Sequence, residues 1–181
     1  MSTKVVHVPL TEEGIDSAIE ELKRFQKWIE DGTKKLIQLM GEKGAEFAQA
    51  NYDEALYAGT NDVKVTAVVV GDNKVEIRAD GSAVLFIEFG TGINNPNSHP
   101  DPLAANYPHG QFGYKLGQLE KGWRYPEKNG GGDSGLAWPD PNHEGYLKTQ
   151  GNPANMSLYD ARTQLEDEYL NLVREAFGTY A

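Results

Sequence analysis

The chain has 181 residues and a mass of 20.0 kDa, enough for one domain with a core of useful size. Its formal net charge of -10 and sequence pI near 4.8 speak against a phosphate-neutralising surface, because duplex binding relies on clustered Lys and Arg. The absence of cysteine excludes disulfide frameworks, thiol nucleophiles and Cys-type zinc sites.

Val5, Val6 and Val8 predict a short opening strand that Pro9 ends. The apolar run there is too short for a signal peptide, and no stretch approaches the roughly 20 apolar residues of a membrane helix. The expectation is a soluble, unexported chain with no membrane partner. Thr11 followed by Glu12 and Glu13 marks a helix start, with acids set against the helix dipole. Ile15, Ala18, Ile19, Leu22, Phe25 and Ile29 then recur at helical spacing and form one apolar stripe. Asp31-Gly32-Thr33 is expected to break or kink this helix. A second helical run follows, with Leu36, Met40, Phe47, Ala48, Tyr52, Ala55 and Leu56 on its buried side, so helices are expected over 11–58. Gly41 and Gly44 weaken that run or admit a close neighbour.

After Gly59-Thr60-Asn61 the period changes. Val63, Val65, Ala67 and Val69 alternate with Lys64 and Thr66, and Val75, Ile77 and Ala79 alternate with Lys74, Glu76 and Arg78. Gly71-Asp72-Asn73 between them is a hairpin signal. Asp80-Gly81-Ser82 turns the chain again into Ala83-Val84-Leu85-Phe86-Ile87-Glu88-Phe89. That run is apolar on both faces and reads as a buried strand, completing an antiparallel meander over 62–89. Glu88 must then reach water, backbone donors or a partner chain.

Residues 90–145 hold 11 of the 20 glycines and seven of the nine prolines, a composition that favours extended loops over a packed core. Two of the three tryptophans, Trp123 and Trp138, also lie there, with Tyr107, Phe112, Tyr114 and Tyr125. Aromatics in so long a loop should bury against the domain's own sheet or a neighbouring subunit. Tyr146-Leu147-Lys148-Thr149 can return as a sheet strand. Leu158, Ala161, Leu165, Tyr169, Leu172 and Ala176 then form a helical stripe that Gly178 ends, so strand and helix span 146–178. Ser157-Leu158-Tyr159-Asp160 has capping-box form, and Asn152-Pro153 is an alternative start one turn earlier. There is no internal repeat and no coiled-coil heptad run. The fold class is α/β in the broad sense (α+β), a single domain over 1–181. An antiparallel sheet of about three to five strands carries the N-terminal and C-terminal helices on one face, with a long Gly-, Pro- and aromatic-rich excursion.

No catalytic constellation emerges. His99, His109 and His143 fall near Asp101, Asp140 and Glu144, but no pair has His-x-x-x-His spacing and His7 lies far off in sequence. Gly90-Thr91-Gly92 leads into Asn94, Asn95 and Pro96, not into a Gly-Lys-Ser/Thr end, and Asn129 to Gly135 lacks a basic residue, so neither is a phosphate loop. No Gly-x-Ser-x-Gly elbow follows a strand. Glu88 and Asp101 could serve a glycosidase beside loop tryptophans, yet nothing in the sequence sets their separation. The simpler role for Glu88 is a carboxylate held by backbone amides or by a neighbour's cation. No cofactor or metal is expected.

Two islands and their order carry a resemblance. Asn61-Asp62-Val63 and Ala83 to Gly92 follow amphipathic helices; an aromatic Gly-rich loop comes next, then Thr149-Gln150-Gly151-Asn152-Pro153-Ala154-Asn155-Met156 and a terminal helix. That succession resembles, over essentially the whole chain, the tail-component (tail-completion, or minor head–tail joining) family of tailed double-stranded DNA phages and prophages. Ser157 stands where a proline is common in that family and Gln150 where a histidine is common. The resemblance implies a small α/β domain that is not an enzyme, a minor virion structural protein assembled in the host bacterial cytoplasm. It also implies a homo-hexameric ring in the neck, touching connector proteins on one side and the tail tube or terminator on the other, with DNA passing through the lumen without specific binding. A tail terminator capping the tube is the alternative within that family. A metal-dependent or carbohydrate-acting hydrolase, or a sugar-binding module using the loop aromatics, is the alternative of a different class. The residues expected at assembly contacts are Glu88, Phe89, Gly90, Thr91, Gly92, Trp123, Trp138, Thr149, Gly151, Asn152 and Pro153.

Overall fold

The structure is a computed structural model, and it describes residues 8–57, 59–90, 123–129, 135–149 and 151–179. The opening strand expected over Val5–Val8 lies almost wholly outside them. Among the described residues the fold is mixed α+β: a long helix α1 (Glu12–Asp53), a hairpin β1 (Lys64–Val69) and β2 (Val75–Asp80), and a short helix α2 (Val84–Phe89) come first. Strands β3 (Trp123–Pro126), β4 (Ala137–Pro139) and β5 (Tyr146–Thr149) and a closing helix α3 (Ser157–Phe177) follow.

α1 runs unbroken for 42 residues, about 63 Å at the α-helical rise. Thr11 caps it, its hydroxyl accepting from the Gly14 amide at 3.1 Å. The break expected at Asp31-Gly32-Thr33 does not occur. Gly32 is instead buried beneath Phe177, whose ring would lie 2.5 Å from a Cβ there, so packing offsets the roughly 1 kcal/mol that an interior glycine costs a helix. Gly41 and Gly44 serve the same purpose toward the hairpin: Cβ atoms there would fall 2.5 Å from Val75 Cγ2 and 2.2 Å from Ile77 Cδ1.

β1 and β2 pair antiparallel from Lys64↔Asp80 to Val69↔Val75, as the alternation predicts. The third strand of the expected meander is not a strand. Ala83 to Phe89 coils into α2, and the two-stranded sheet ends at Asp80. Propensity favours extension for such a run, but burial decides it. In helical form Ala83 and Ile87, four residues apart, both reach full burial against Tyr52 and Val63, while Leu85 turns outward. Partly buried Ala55, Tyr57, Val65, Ala79, Val84 and Leu158 complete this core.

The region expected to be loop contains two strands. β3 and β4 flank β5 in a three-stranded antiparallel sheet, with Trp123↔Thr149 and Ala137↔Thr149 in register. Ala137 and Leu147 centre a second small core with Tyr125 and Leu136. The five strands among the described residues thus form two sheets, not one.

α3 lies antiparallel to the second half of α1. Asn51 Nδ2 donates to the Ser157 carbonyl at 3.0 Å near one end. At the other, Trp28 Nε1 donates to the Phe177 carbonyl at 2.9 Å and the two rings meet edge to face at 5.3 Å. The first four turns of α1, ahead of Trp28, therefore project about 24 Å past the end of α3.

Candidate functional site

The two sequence islands meet at one place. α2 is too short to hold itself together, since a helix of six residues leaves its terminal amides and carbonyls without intrahelical partners. Each end is satisfied from elsewhere. Ahead of its first turn, Asp62 accepts from the Ser82 amide and hydroxyl at 2.9 and 2.8 Å and from the Ala83 amide at 3.0 Å. These donors, the Ser82 amide first, hold the Asp62 carboxyl below the usual aspartate range. At its C-terminal end the second island supplies the donors. Asn152 Nδ2 reaches the Phe86 carbonyl at 3.0 Å, the Asn155 amide the Ile87 carbonyl at 2.8 Å, and the Met156 amide the Glu88 carbonyl at 3.2 Å.

The favour is returned at the start of α3. Glu88, only 4% exposed, turns its carboxylate onto that helix and accepts from the Leu158 amide at 2.9 Å and the Tyr159 amide at 3.3 Å. Those are the second and third residues of α3, the amides that an ordinary N-cap side chain would bind. A negative group there also meets the positive end of the helix dipole. Tyr52, wholly buried at the end of α1, donates its hydroxyl to Glu88 at 3.2 Å. Burial first, then the Glu88 charge and this hydrogen bond, raise the Tyr52 pKa far above the phenol range.

The capping box expected at Ser157 therefore gives way to a cap from another part of the chain. Ser157 is the first helical residue, buried, and its Oγ accepts from Asn155 Nδ2 at 2.8 Å. Met156 before it adopts a left-handed conformation (φ 54, ψ 35), an uncommon place for a side-chain-bearing residue, held by the Glu88 carbonyl on its amide and by the Asp160 amide on its carbonyl. Gly90 closes the junction. It is buried at φ +74, and a Cβ there would lie 2.6 Å from the Ala154 amide nitrogen and 3.0 Å from the Asn152 oxygen.

Of the expected contact residues, then, Glu88, Gly90, Gly151 and Asn152 are buried within the chain, Phe89 is half-buried and Pro153 is exposed. Thr149 is buried at the end of β5, donating to the Leu136 carbonyl at 2.7 Å and accepting from the Gly151 amide at 3.1 Å. Trp123 takes its backbone place in β3, opposite Thr149. Trp138 is 41% exposed in β4. Thr91 and Gly92 lie outside the described residues. Tyr52, Asn51, Asn155 and Asp62 are the participants that reading the sequence missed. Asn51 and Asn155 cross-link α1 to the second island, Asn155 Nδ2 donating to the Asn51 carbonyl at 2.8 Å. Asp62 and Asn155 stand in the two motif segments without a role there, and the helical spacing puts Tyr52 on a buried side; Asn61 Nδ2 donates to the Tyr52 carbonyl at 2.7 Å and ties down the end of α1.

A second polar cluster surrounds the turn after β4. Asp140, buried, accepts from the Asn142 amide at 2.9 Å and meets His143 Nδ1 at 3.1 Å and Arg124 Nε at 3.2 Å. The Asn142 amide chiefly, then His143 and Arg124 beside it, hold its carboxyl below the usual range. Arg124 Nη1 stands 2.7 Å from His143 Nε2, and since a guanidinium only donates, that nitrogen acts as acceptor. His7, His99, His109 and Asp101 lie outside the described residues. Among the described residues no group of three or more His, Asp or Glu is arranged to hold a metal ion, and no helix is long and apolar enough to cross a membrane. No family model, curated protein or solved structure matches the chain.

Proposed function

We propose that this chain is a structural component of the neck of a tailed phage, a tail-completion or head–tail joining protein that works as a ring and carries no catalytic role. One observation supports the reading most. The two segments on which the resemblance rests, Ala83 to Gly92 and Thr149 to Met156, are halves of a single reciprocal junction. Two motifs that must fit each other constitute one correlated feature, and a correlated feature discriminates better than two short matches taken separately. The formal charge of -10 suits a channel through which DNA passes without adhering, since carboxylates repel phosphate and release no counterions.

Because the junction absorbs Glu88, Gly90 and Asn152, ring contacts on this reading fall to exposed surface such as Trp138 and to the heterologous matching of one face of a copy with another face of the next. The test is genetic and visual. A phage or prophage deleted for this chain is expected to yield filled heads and detached tails of normal length under the electron microscope. Tails of uncontrolled length would identify a terminator instead, and normal joined particles would overturn the proposal. A Trp123→Ala, Trp138→Ala variant that still assembles and joins tails would remove those two residues from the contact.

A further inference from the structure

The projecting start of α1 carries an apolar stripe that the described fold does not cover. Ile15, Ile19 and Ile29 are each more than two-fifths exposed, and Leu22 at the centre of the stripe is 67% exposed. The stripe continues the face that α1 turns to α3: beyond Ile29, at alternating spacings of three and four, come Gly32 under the Phe177 ring and half-buried Leu36. α3 stops at Phe177, and the seam does not.

The charges beside the stripe say what lies on it. At 100° per residue, Glu12, Asp16, Lys23, Lys27 and Glu30 lie along a single flank, all exposed; over residues 12 to 27 that flank is acidic first and basic after. A second helix of the same sequence laid parallel and in register would bring this flank against the opposite flank of its partner, so the acidic turns would not meet the basic ones. Laid antiparallel about a centre near Ile19, it sets Glu12 against Lys27 and Asp16 against Lys23. It also places Ile15 of one copy between Leu22 and Phe25 of the other, and opposes the two helix dipoles. Glu20 already holds Lys23 at 2.8 Å within the helix, but both are about two-thirds exposed, and such a pair exchanges partners at little cost.

We infer that the exposed stripe at the start of α1 is the docking surface for a second copy of this chain, joined antiparallel about Ile19 in an isologous two-fold contact. This does not rest on the neck reading. An isologous contact closes at two copies, so it describes the chain outside a ring and covers the stripe there.

Cysteine substitution tests it cleanly, because the chain has no cysteine of its own. In the full chain under mild oxidation, Ile19→Cys is expected to give a disulfide-linked dimer and Ile29→Cys none, since only the residue at the centre meets its counterpart within disulfide reach. Linkage at both positions would mean a parallel pair, and linkage at neither would mean no pair; either result overturns the inference. Sedimentation gives the independent arm. Leu22→Asp should weaken self-association at least tenfold while leaving the helical circular dichroism and melting temperature intact, because Leu22 packs in no core. The Glu12→Lys, Asp16→Lys chain and the Lys23→Glu, Lys27→Glu chain should each stay apart alone and associate when mixed. Equal association of all these chains with themselves would refute the two-fold arrangement.

Discussion

Replacing Glu88 probes the junction at its most connected point. Its carboxylate serves two amides of α3 and the Tyr52 hydroxyl, at 2.9, 3.3 and 3.2 Å, from a side chain that is almost wholly buried. Loss of a helix cap costs about 0.5–2 kcal/mol. A buried hydroxyl left without its acceptor adds about 1–3 kcal/mol. Glu88→Ala should therefore destabilise the fold by about 1.5–5 kcal/mol, which for a chain of this length lowers the melting temperature by roughly 3–20 °C. Glu88→Gln keeps the shape but turns one donor toward donors, and about half that loss is expected. Urea unfolding followed by circular dichroism checks both, with an unchanged slope showing that the midpoint shift reports stability alone. In a double-mutant cycle Tyr52→Phe should recover at least about 1 kcal/mol of coupling with Glu88→Ala. A Glu88→Ala loss under about 0.5 kcal/mol would refute the claim that this carboxylate caps α3.

Gly90→Ala should cost more than about 2 kcal/mol, from the positive φ and from a methyl forced onto the Ala154 amide, and urea unfolding again measures it. Alkaline pH should unfold the protein through Tyr52. Its folded pKa is raised, so its contribution is complete below the ordinary phenol value near 10 and declines above it. Tyr52→Phe should show a stability slope shallower by up to about 1.4 kcal/mol per pH unit in that range. Asp62 titrates with the opposite sign. Its folded pKa is lowered, so its stabilisation is present above the ordinary aspartate value and is lost as pH falls below it; the difference in melting temperature between wild type and Asp62→Asn should vanish toward pH 2. Phe177→Ala should uncover Gly32 and unstack Trp28, costing about 3–5 kcal/mol and shifting tryptophan fluorescence to the red.

Periodicity made the helices legible. The stripe on α3 and the later part of the stripe on α1 come from residues whose partners lie on a surface that the element itself defines, whereas the stripe ahead of Trp28 and Ala67 and Val69 of β1 keep the period but stay exposed. α2 failed for the reason that makes it interesting. Ala83 to Phe89 has strand composition, and what coils it is Asp62 ahead of it and Asn152, Asn155 and Met156 behind it, none adjacent in sequence. Gly32 misled in a similar way, since a glycine that ends a lone helix also admits an aromatic ring from another. β3 and β4 were hidden because three- and four-residue strands between glycines and prolines show no period to detect. For Glu88 the sequence offered the right choice of backbone amides, though not whose; pairing across 70 residues has no local signature.

The central claim is that the two motif segments cap each other, and amide hydrogen exchange read residue by residue tests it most directly. In Glu88→Gln the amides of Leu158 and Tyr159 should lose protection strongly, and those of the next turn of α3 partly, while the middle of α1 stays as slow as in the wild type. Protection at Leu158 and Tyr159 unchanged by the substitution would contradict the claim.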